Sequence, residues 1–170
     1  MTGAPGAGKT TLARPLAQAL GFALIAKDDI KEPLFDALGA EPGNLEASRK
    51  IGAASWEVLW SLARHCPRVV LEANFHPESA YERERIGALK GEIVEVFCRC
   101  PPEEAARRYN ARAQTDARHR AHAAVPVLVA SDLAPFDRPI GMGRVFEVDT
   151  TRNVDVAALS AAIRKSWTIR

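Results

Sequence analysis

The stretch Gly3-Ala4-Pro5-Gly6-Ala7-Gly8-Lys9-Thr10 decides the fold, because it has the spacing G-x-x-x-x-G-K-T. Its glycines let successive backbone N–H groups turn inward around a phosphate, and the helix that follows presents its positive N-terminal end to the same anion. Lys9 adds a point charge for the β- and γ-phosphates, and the hydroxyl of Thr10 is a ligand for Mg²⁺. The motif, continued by Thr11, predicts a site for Mg-ATP; the alternative is a chance glycine-rich turn.

The composition predicts one globular α/β domain over residues 1–170. Of the 170 residues, 47% are hydrophobic and 26% are charged, and these fractions are typical of soluble domains. The formal net charge is +2, whereas a nucleic-acid or anionic-membrane partner requires a basic patch or a strongly basic domain. The overall charge therefore indicates neither kind of partner.

The cysteines and the apolar runs predict a cytoplasmic protein. Cys66, Cys98 and Cys100 are odd in number, and the last two share one face of a predicted strand, so no obvious disulfide joins them. No run of about 18 apolar residues occurs, and the amino terminus leads into the glycine loop rather than into the apolar segment of a signal peptide. We expect reduced thiols and no membrane association; the composition does not indicate the oligomeric state.

Short apolar runs alternate with stretches of helical period along the chain. Such alternation is typical of βαβ units, whose parallel sheet is covered by helices on both faces. The predicted strands are Phe22–Ala26, Val69–Leu71, Ile93–Cys98 and Val145–Val148. The predicted helices are Thr10–Leu20, one near Ile30, Asn44–His65, Glu78–Lys90, one opened by Pro102 and one opened by Asn153-Val154-Asp155; the segment 123–139 mixes a short helix with loop.

The strand before the phosphate loop is nearly absent from the sequence. A phosphate loop follows a buried strand of about five residues, but only Met1 and Thr2 stand before Gly3. Losing a central strand would leave backbone groups of its two neighbours unpaired, at about 1–3 kcal/mol for each buried group. We therefore expect that the chain is truncated at its start or that its start is misassigned.

The order of motifs resembles that of one group of P-loop kinases. The group includes the 5′-hydroxyl kinase domain of polynucleotide kinase, chloramphenicol phosphotransferase and zeta toxins, and is often labelled AAA-like ATPases. The resemblance implies a three-layer P-loop NTPase fold of the nucleotide-kinase type, with a parallel sheet of order 2-3-1-4-5 in which the short strand before the loop is the first. It is carried by Gly3–Thr10, Ile25–Glu32, Val69–Asn74 and Arg99–Glu104 with Arg107 and Arg108.

An aspartate after the second strand suits the acceptor side of a kinase site. A carboxylate there can orient an acceptor hydroxyl in line with the γ-phosphate and accept its proton. Asp28 matches the catalytic aspartate of the resembled kinases, whereas Asp29 could cap the helix near Ile30; Asp28 itself could also be a local cap. Lys31, one turn beyond, matches a basic position of the family that could hold an acidic acceptor or phosphate, unless it is a solvated surface lysine.

Two polar residues follow the third strand. Glu72 and Asn74 are two apart and are expected to face the same side, next to the phosphate loop. Glu72 is predicted to hold Mg²⁺ together with Thr10, and Asn74 to contact the acceptor; the alternative is a polar strand end that meets solvent. Trp56 and Trp60, one turn apart, could line an acceptor pocket, but such a pair is more often core.

An arginine-rich segment, residues 102–122, is expected to form a lid. In the resembled kinases, arginines of this region close over ATP and neutralise charge on the transferring phosphoryl group. We predict that Arg108 contacts ATP and that Arg112 and Arg118 join Lys9 in catalysis, although each arginine could instead be solvated. The stretch Thr150-Thr151-Arg152, after the last strand, falls where related kinases place the adenine loop, with Thr151 as the predicted contact. An ordinary strand-to-helix turn explains the stretch equally well.

These features predict an ATP- and Mg²⁺-dependent phosphotransferase that acts on a hydroxyl of a small molecule. Two alternatives remain. A 5′-hydroxyl nucleic-acid kinase would need a basic channel, which the overall charge does not reveal. A nucleotide-binding ATPase or switch would have no acceptor at all.

Overall fold

The computed structural model describes residues 1–115, 118–125 and 127–168. Four strands are described within these residues: β1 (Ala23–Ala26), β2 (Val69–Glu72), β3 (Val94–Arg99) and β4 (Arg144–Asp149). The helices are α1 (Lys9–Leu20), α2 (Lys27–Ala37), α3 (Leu45–His65), α4 (Ala80–Gly87), α5 (Pro102–Ala113) and α6 (Val156–Thr168), with short 3₁₀ turns at Arg120–His122 and Ala130–Phe136. No helix in the described part of the chain is long and apolar enough to span a membrane.

The strands form two parallel pairs. β1 pairs with β2 so that Ala26 lies opposite Glu72, and β3 pairs with β4 so that Arg99 lies opposite Asp149. The strands of each pair therefore end together, and their carboxyl ends are followed by α2, α5 and the loops before α4 and α6. The α/β class with parallel strands is confirmed.

Met1 and Thr2 hydrogen-bond to both strand pairs and lie between them, towards the carboxyl ends of β2 and β3. The amino group of Met1 donates to the Leu71 carbonyl at 2.8 Å, and the Thr2 N–H donates to the Val96 carbonyl at 2.9 Å. The rest of the space between the pairs is a largely apolar cavity of about 1010 Å³, with residues of β2 on one side and residues of β3 on the other. Because the strands bond only as two pairs, the five-strand order 2-3-1-4-5 stays a prediction.

Helices cover both faces of the strands because the strand side chains alternate. Val70 packs in one core cluster with Leu16 of α1 and Ile163 of α6. Its neighbour Leu71 packs in a second cluster with Leu59 of α3. Opposite faces of β2 are thus buried against different helices, which gives the predicted three layers.

Two helices differ in their bounds from the sequence-based expectations. α2 begins at Lys27, directly after β1, and its N-cap Ala26 makes no side-chain cap. The capping roles considered for Asp28 and Asp29 are therefore wrong; both carboxylates lie in the first turn, where the helix dipole favours negative charge. α4 is shorter than predicted because Ser79 caps it by accepting the Glu82 N–H.

A buried carboxylate joins the amino terminus to β3. Glu95 accepts hydrogen bonds from the Thr2 hydroxyl at 2.6 Å and from the N–H groups of Ile140 and Gly141 at 2.9 and 2.8 Å. These bonds tie the first residues and the loop before β4 to β3. Because both carboxylate oxygens accept, an amide cannot reproduce the arrangement.

We expect Glu95→Gln to lower the free energy of unfolding by about 1–3 kcal/mol, because its NH₂ group would face donors in a buried site. Urea unfolding followed by circular dichroism measures the change. The matched control is Glu147→Gln, which changes an exposed glutamate of β4. Equal stability of the two variants would contradict a structural role for Glu95.

Candidate functional site

The phosphate loop is held between β3 and α5. Gly3 has a φ of 129°, and a Cβ placed on it would lie 2.6 Å from the Cys98 carbonyl oxygen. Gly6 has a φ of 84°, and its Cβ would lie 2.1 Å from the Ala105 carbonyl oxygen. Only glycine satisfies both the positive φ and the close approach. The loop leads into α1 through Gly8, which has no side chain to cap the first N–H groups of that helix.

Lys9 lies inside the loop. Its side chain is buried, and Nζ donates to the Ala4 carbonyl at 2.8 Å. Burial lowers the pKa of Lys9, and the charge of Glu72 acts in the opposite direction. A buried ammonium whose hydrogen-bond partner is a neutral carbonyl is stabilised by an added anion. The predicted binding of the β- and γ-phosphates by Lys9 requires this property.

Thr10 and Glu72 meet across the site. The Thr10 hydroxyl donates to Glu72 Oε2 at 3.0 Å, although the residues are 62 positions apart. Glu72 ends β2 with 5% of its surface exposed, and burial raises the pKa of its carboxyl group. Mg²⁺ prefers hard oxygen ligands and binds through one or two protein groups together with phosphates and waters. These two oxygen donors fit that ion, although the described residues hold no cluster of three acidic, histidine or cysteine ligands.

The two aspartates in the first turn of α2 have different surroundings. Asp29 forms an exposed ion pair with Arg14 of α1 at 3.1 Å. Asp28 lies two residues beyond Ala26, which pairs with Glu72. Its charge partly offsets the lowering of the Lys9 pKa by burial and contributes to the raised pKa of Glu72. The end of β1 thus brings Asp28 to the same edge of the sheet as Glu72.

Two lysines of α2 lie on the predicted acceptor side, and the sequence analysis identified one of them as a site residue. Lys31 donates to the Ser48 hydroxyl at 3.0 Å. Lys27, which sequence reasoning missed, places Nζ 5.1 Å from the centre of the Trp56 ring. Its position as the first residue after β1 was the available signal, because parallel strands carry their sites at their carboxyl ends.

The two tryptophans of α3, Trp56 and Trp60, differ in burial. Trp60 is buried with 1% of its surface exposed, whereas Trp56 is half-buried and stacks on Trp60 with ring centres 5.4 Å apart. Trp60 is thus a core residue, and Trp56 faces Lys27. Asn74 is exposed beyond the end of β2, between the buried residues Ala73 and Phe75, and no hydrogen bond within the described residues joins its side chain to the site.

Arg108 lies over the phosphate loop. It donates to Glu104 at 2.7 Å and to the Thr150 carbonyl at 3.1 Å. A Cβ placed on Gly8 would lie 4.0 Å from Arg108 Nη1 and 3.7 Å from the Thr150 Cβ. Thr150 therefore lies next to the loop, whereas Thr151 is exposed and bonds to Asp149 at 2.6 Å. The assignment of an adenine loop to this turn stays a prediction, and the residue of the turn that lies beside Gly8 is Thr150.

The other two lid arginines differ in their surroundings. Arg118 lies 4.4 Å from the centre of the Tyr109 ring and donates to the Tyr109 hydroxyl and to the carbonyls of His122 and Val125. Its charge contributes to the lowered pKa of Lys31, so it lies towards the acceptor side. Arg112 is exposed, and its charge contributes to the lowered pKa of Lys9.

The end of the predicted lid is attached to α2. Arg120 donates to Asp36 at 2.8 Å, and a nitrogen of His119 lies 3.1 Å from the same carboxylate. His122 lies 2.9 Å from Glu32. Residues 116 and 117 of the predicted lid lie outside the described residues. These contacts between distant segments had no sequence signal.

Solved structures with this architecture are kinases by their descriptions. A "putative kinase" from Chloroflexus aurantiacus is 26% identical, with a TM-score of 0.80 over 96% of this chain and 94% of that one. A shikimate kinase from Acinetobacter baumannii, in complex with shikimate, is 21% identical, with a TM-score of 0.58 over 98% and 90%. A gluconokinase from Sinorhizobium meliloti is 16% identical, with a TM-score of 0.57 over 99% and 93%. The last two similarities establish the fold alone.

A search of curated proteins gave no match. A family model described as "AAA domain" matches residues 1–128, which include the phosphate loop, α2 and the lid arginines. Because this match covers most of the chain and the solved structures share its architecture, the chain belongs to the AAA domain family and has a P-loop kinase fold.

Proposed function

We propose that this protein transfers the γ-phosphoryl group of Mg-ATP to a hydroxyl group of a small molecule. The observation that carries the proposal is the meeting of three chain segments: Lys9 in the phosphate loop, Glu72 bonded to Thr10, and Asp28 at the start of α2. A nucleotide switch needs the first two segments only. A carboxylate that faces them from the acceptor side is what a kinase adds.

The nucleotide side of the site binds the triphosphate. Backbone N–H groups of the phosphate loop and the N-terminus of α1 bind the phosphates, and Lys9 shifts from the Ala4 carbonyl to the β- and γ-phosphate oxygens. Arg108 and the Thr150–Thr151 turn border the nucleotide. Thr10 and Glu72 hold Mg²⁺, which when bound neutralises charge on the phosphate oxygens.

The acceptor side carries out the proton transfer. An acceptor hydroxyl hydrogen-bonded to Asp28 attacks the γ-phosphorus in line with the bridging oxygen. The new O–P bond forms as the bond to the bridging oxygen breaks, the hydroxyl proton passes to an Asp28 carboxylate oxygen, and ADP leaves. Lys9 and Arg112 stabilise the charge on the transferring group. Lys31, Asn74 and Arg118 complete the acceptor side.

The acceptor side is tested by Asp28→Asn. We expect phosphoryl transfer to fall by about 100-fold or more, because general-base catalysis contributes about that much. ATP affinity is expected to persist, since the phosphate loop is intact. Transfer from γ-labelled ATP to a panel of sugars, antibiotics, nucleosides and 5′-hydroxyl oligonucleotides measures the first quantity, and calorimetry measures the second.

The matched control is Asp29→Asn, which removes only the exposed pair with Arg14; such pairs contribute about 0–1 kcal/mol. We expect it to retain activity. Normal turnover by Asp28→Asn would exclude this residue as the base. ATP hydrolysis that no hydroxyl compound on the panel alters would instead indicate an ATPase or switch.

The metal side is tested by Glu72→Gln. Mg²⁺ is expected to raise the ATP affinity of the wild-type protein. In Glu72→Gln we expect this increase to be about 10–100-fold smaller, which is the range by which metal affinity falls when groups that support a metal are removed. Affinity measured in EDTA should stay near the wild-type value. Calorimetry with and without Mg²⁺ separates the two, and Glu147→Gln is the control for charge. An unchanged Mg²⁺ effect would remove Glu72 from the metal site.

A further inference from the structure

A single chain segment bridges the gap between the two strand pairs at one end. Met1 donates to the Leu71 carbonyl of β2 at 2.8 Å, and Thr2 donates to the Val96 carbonyl of β3 at 2.9 Å. Successive strand residues direct their backbone groups to opposite sides, so a segment that bonds alternately to two neighbours has the position of a central strand. Met1 and Thr2 therefore form the last two residues of a strand position between β2 and β3.

The rest of this strand position is the largely apolar cavity of about 1010 Å³ between the pairs. Leu71 and Val96 direct their backbone groups towards it, and by alternation Val69 and Val94, two residues earlier, do the same. Among the residues that the structure describes, β2 pairs with β1 and β3 with β4, each on its other side. The N–H and C=O groups of Val69 and Val94 thus face the cavity without a strand beside them. Such groups favour an occupant that both donates and accepts hydrogen bonds.

The two walls that the side chains of an added strand would face are apolar. One wall includes Leu20 of α1 and Trp167 of α6, and the other includes Ile86 of α4 and Met142 before β4. Strand side chains alternate between the two faces. The occupant must therefore be apolar at every position, as a fully buried parallel strand is.

The register of the strands sets the length of the occupant. The bond from Met1 to the Leu71 carbonyl places Met1 opposite Glu72, the last residue of β2, in parallel pairing. About three further residues before Met1 would run back to Val69, the first residue of β2. Together with Met1 and Thr2 they would form a strand of about five residues, which is a common strand length.

The nitrogen of Met1 carries a charge at a place where a peptide N–H would fit. The amino group is buried, and burial lowers its pKa. Its hydrogen bond goes to a neutral carbonyl, that of Leu71. A peptide N–H in the same place would keep this bond and would carry no charge to desolvate. The site thus favours an occupant joined to this nitrogen over a separate molecule.

We infer that the cavity is a strand-binding site whose occupant is an apolar segment of about three residues, joined to the Met1 nitrogen and paired in parallel with β2 and β3. The occupant continues through Thr2 directly into Gly3 of the phosphate loop. Its pairing with both neighbours would order the loop before a nucleotide arrives, which favours nucleotide binding. This coupling does not depend on the identity of the phosphoryl acceptor.

An acyl chain is the competing occupant. Arg64, Arg68 and Lys90 line the cavity near the amino ends of β2 and β3, where they could bind an anionic head group. The acyl chain itself would leave the N–H and C=O groups of Val69 and Val94 without hydrogen bonds, and buried backbone groups are rarely left so. A strand satisfies these groups and the apolar walls together.

The test compares three chains that differ before Met1. The first is the chain of 170 residues. The second carries valine–isoleucine–valine between an initiator methionine and Met1, and the third carries three prolines there, which are apolar but have no N–H to donate. We expect the Tm of the second chain to exceed that of the first by about 5 °C or more, because apolar surface is buried and backbone groups are paired. The proline chain should show no such increase.

Amide exchange measured by NMR locates the added segment. In the valine–isoleucine–valine chain, the N–H groups of Leu71 and Val96 would donate to added residues. Exchange at these two positions should slow by about tenfold or more beyond any change at Val70 and Phe97, whose backbone groups point to β1 and β4. The Kd of Mg-ATP, measured by calorimetry, should fall by about threefold or more because the phosphate loop is ordered in advance.

Each contrary result overturns the inference. Equal Tm values of the two extended chains, or unchanged exchange at Leu71 and Val96, would show that no strand is added in the cavity. Decanoate that raises the Tm of the 170-residue chain as much as the added strand does would assign the cavity to an acyl chain. A dimer of that chain that the extension converts to a monomer would assign it to a second copy. If the 170-residue chain has no cooperative transition, the comparison of the two extended chains decides. None of these measurements needs an acceptor, so failure of the proposed function is detected separately.

Discussion

The close approach of the phosphate loop to the backbone of β3 and α5 is the constraint on which the site depends. Gly3 lies against the Cys98 carbonyl and Gly6 against the Ala105 carbonyl, at distances that admit no Cβ. The loop is therefore fixed relative to the carboxyl end of β3 and to the helix that carries Arg108. Its backbone is held in place before a ligand arrives, which lowers the entropic cost of binding.

Burial then sets the electrostatics of that fixed site. It lowers the pKa of Lys9 and raises the pKa of Glu72, so each charged form is less favourable here than in water. A bound triphosphate would stabilise the charged form of Lys9. A divalent cation would offset the negative charges of Glu72 and of the triphosphate. Perturbed groups of both signs beside a glycine loop are typical of a functional site rather than of a stabilising ion pair.

α2 connects this nucleotide side to the acceptor side and to the lid. Its first turn carries Asp28 and Lys27, its second turn Lys31, and its remaining carboxylates Glu32 and Asp36 hold the segment His119–His122. One helix thus carries the proposed base and is bonded to the end of the predicted lid.

The sequence by itself determined the phosphate loop, the parallel α/β class and the approximate position of every described strand, because these follow from local spacing and short-range hydrophobic pattern. It also narrowed the candidate for the base to two adjacent aspartates. Only the tertiary structure showed that Asp29 bonds to Arg14, that Thr150 rather than Thr151 borders the loop, and that Lys27 faces Trp56. Each of these depends on how α1, α3 or α5 packs against a distant segment, and such contacts leave no periodic signal in the chain.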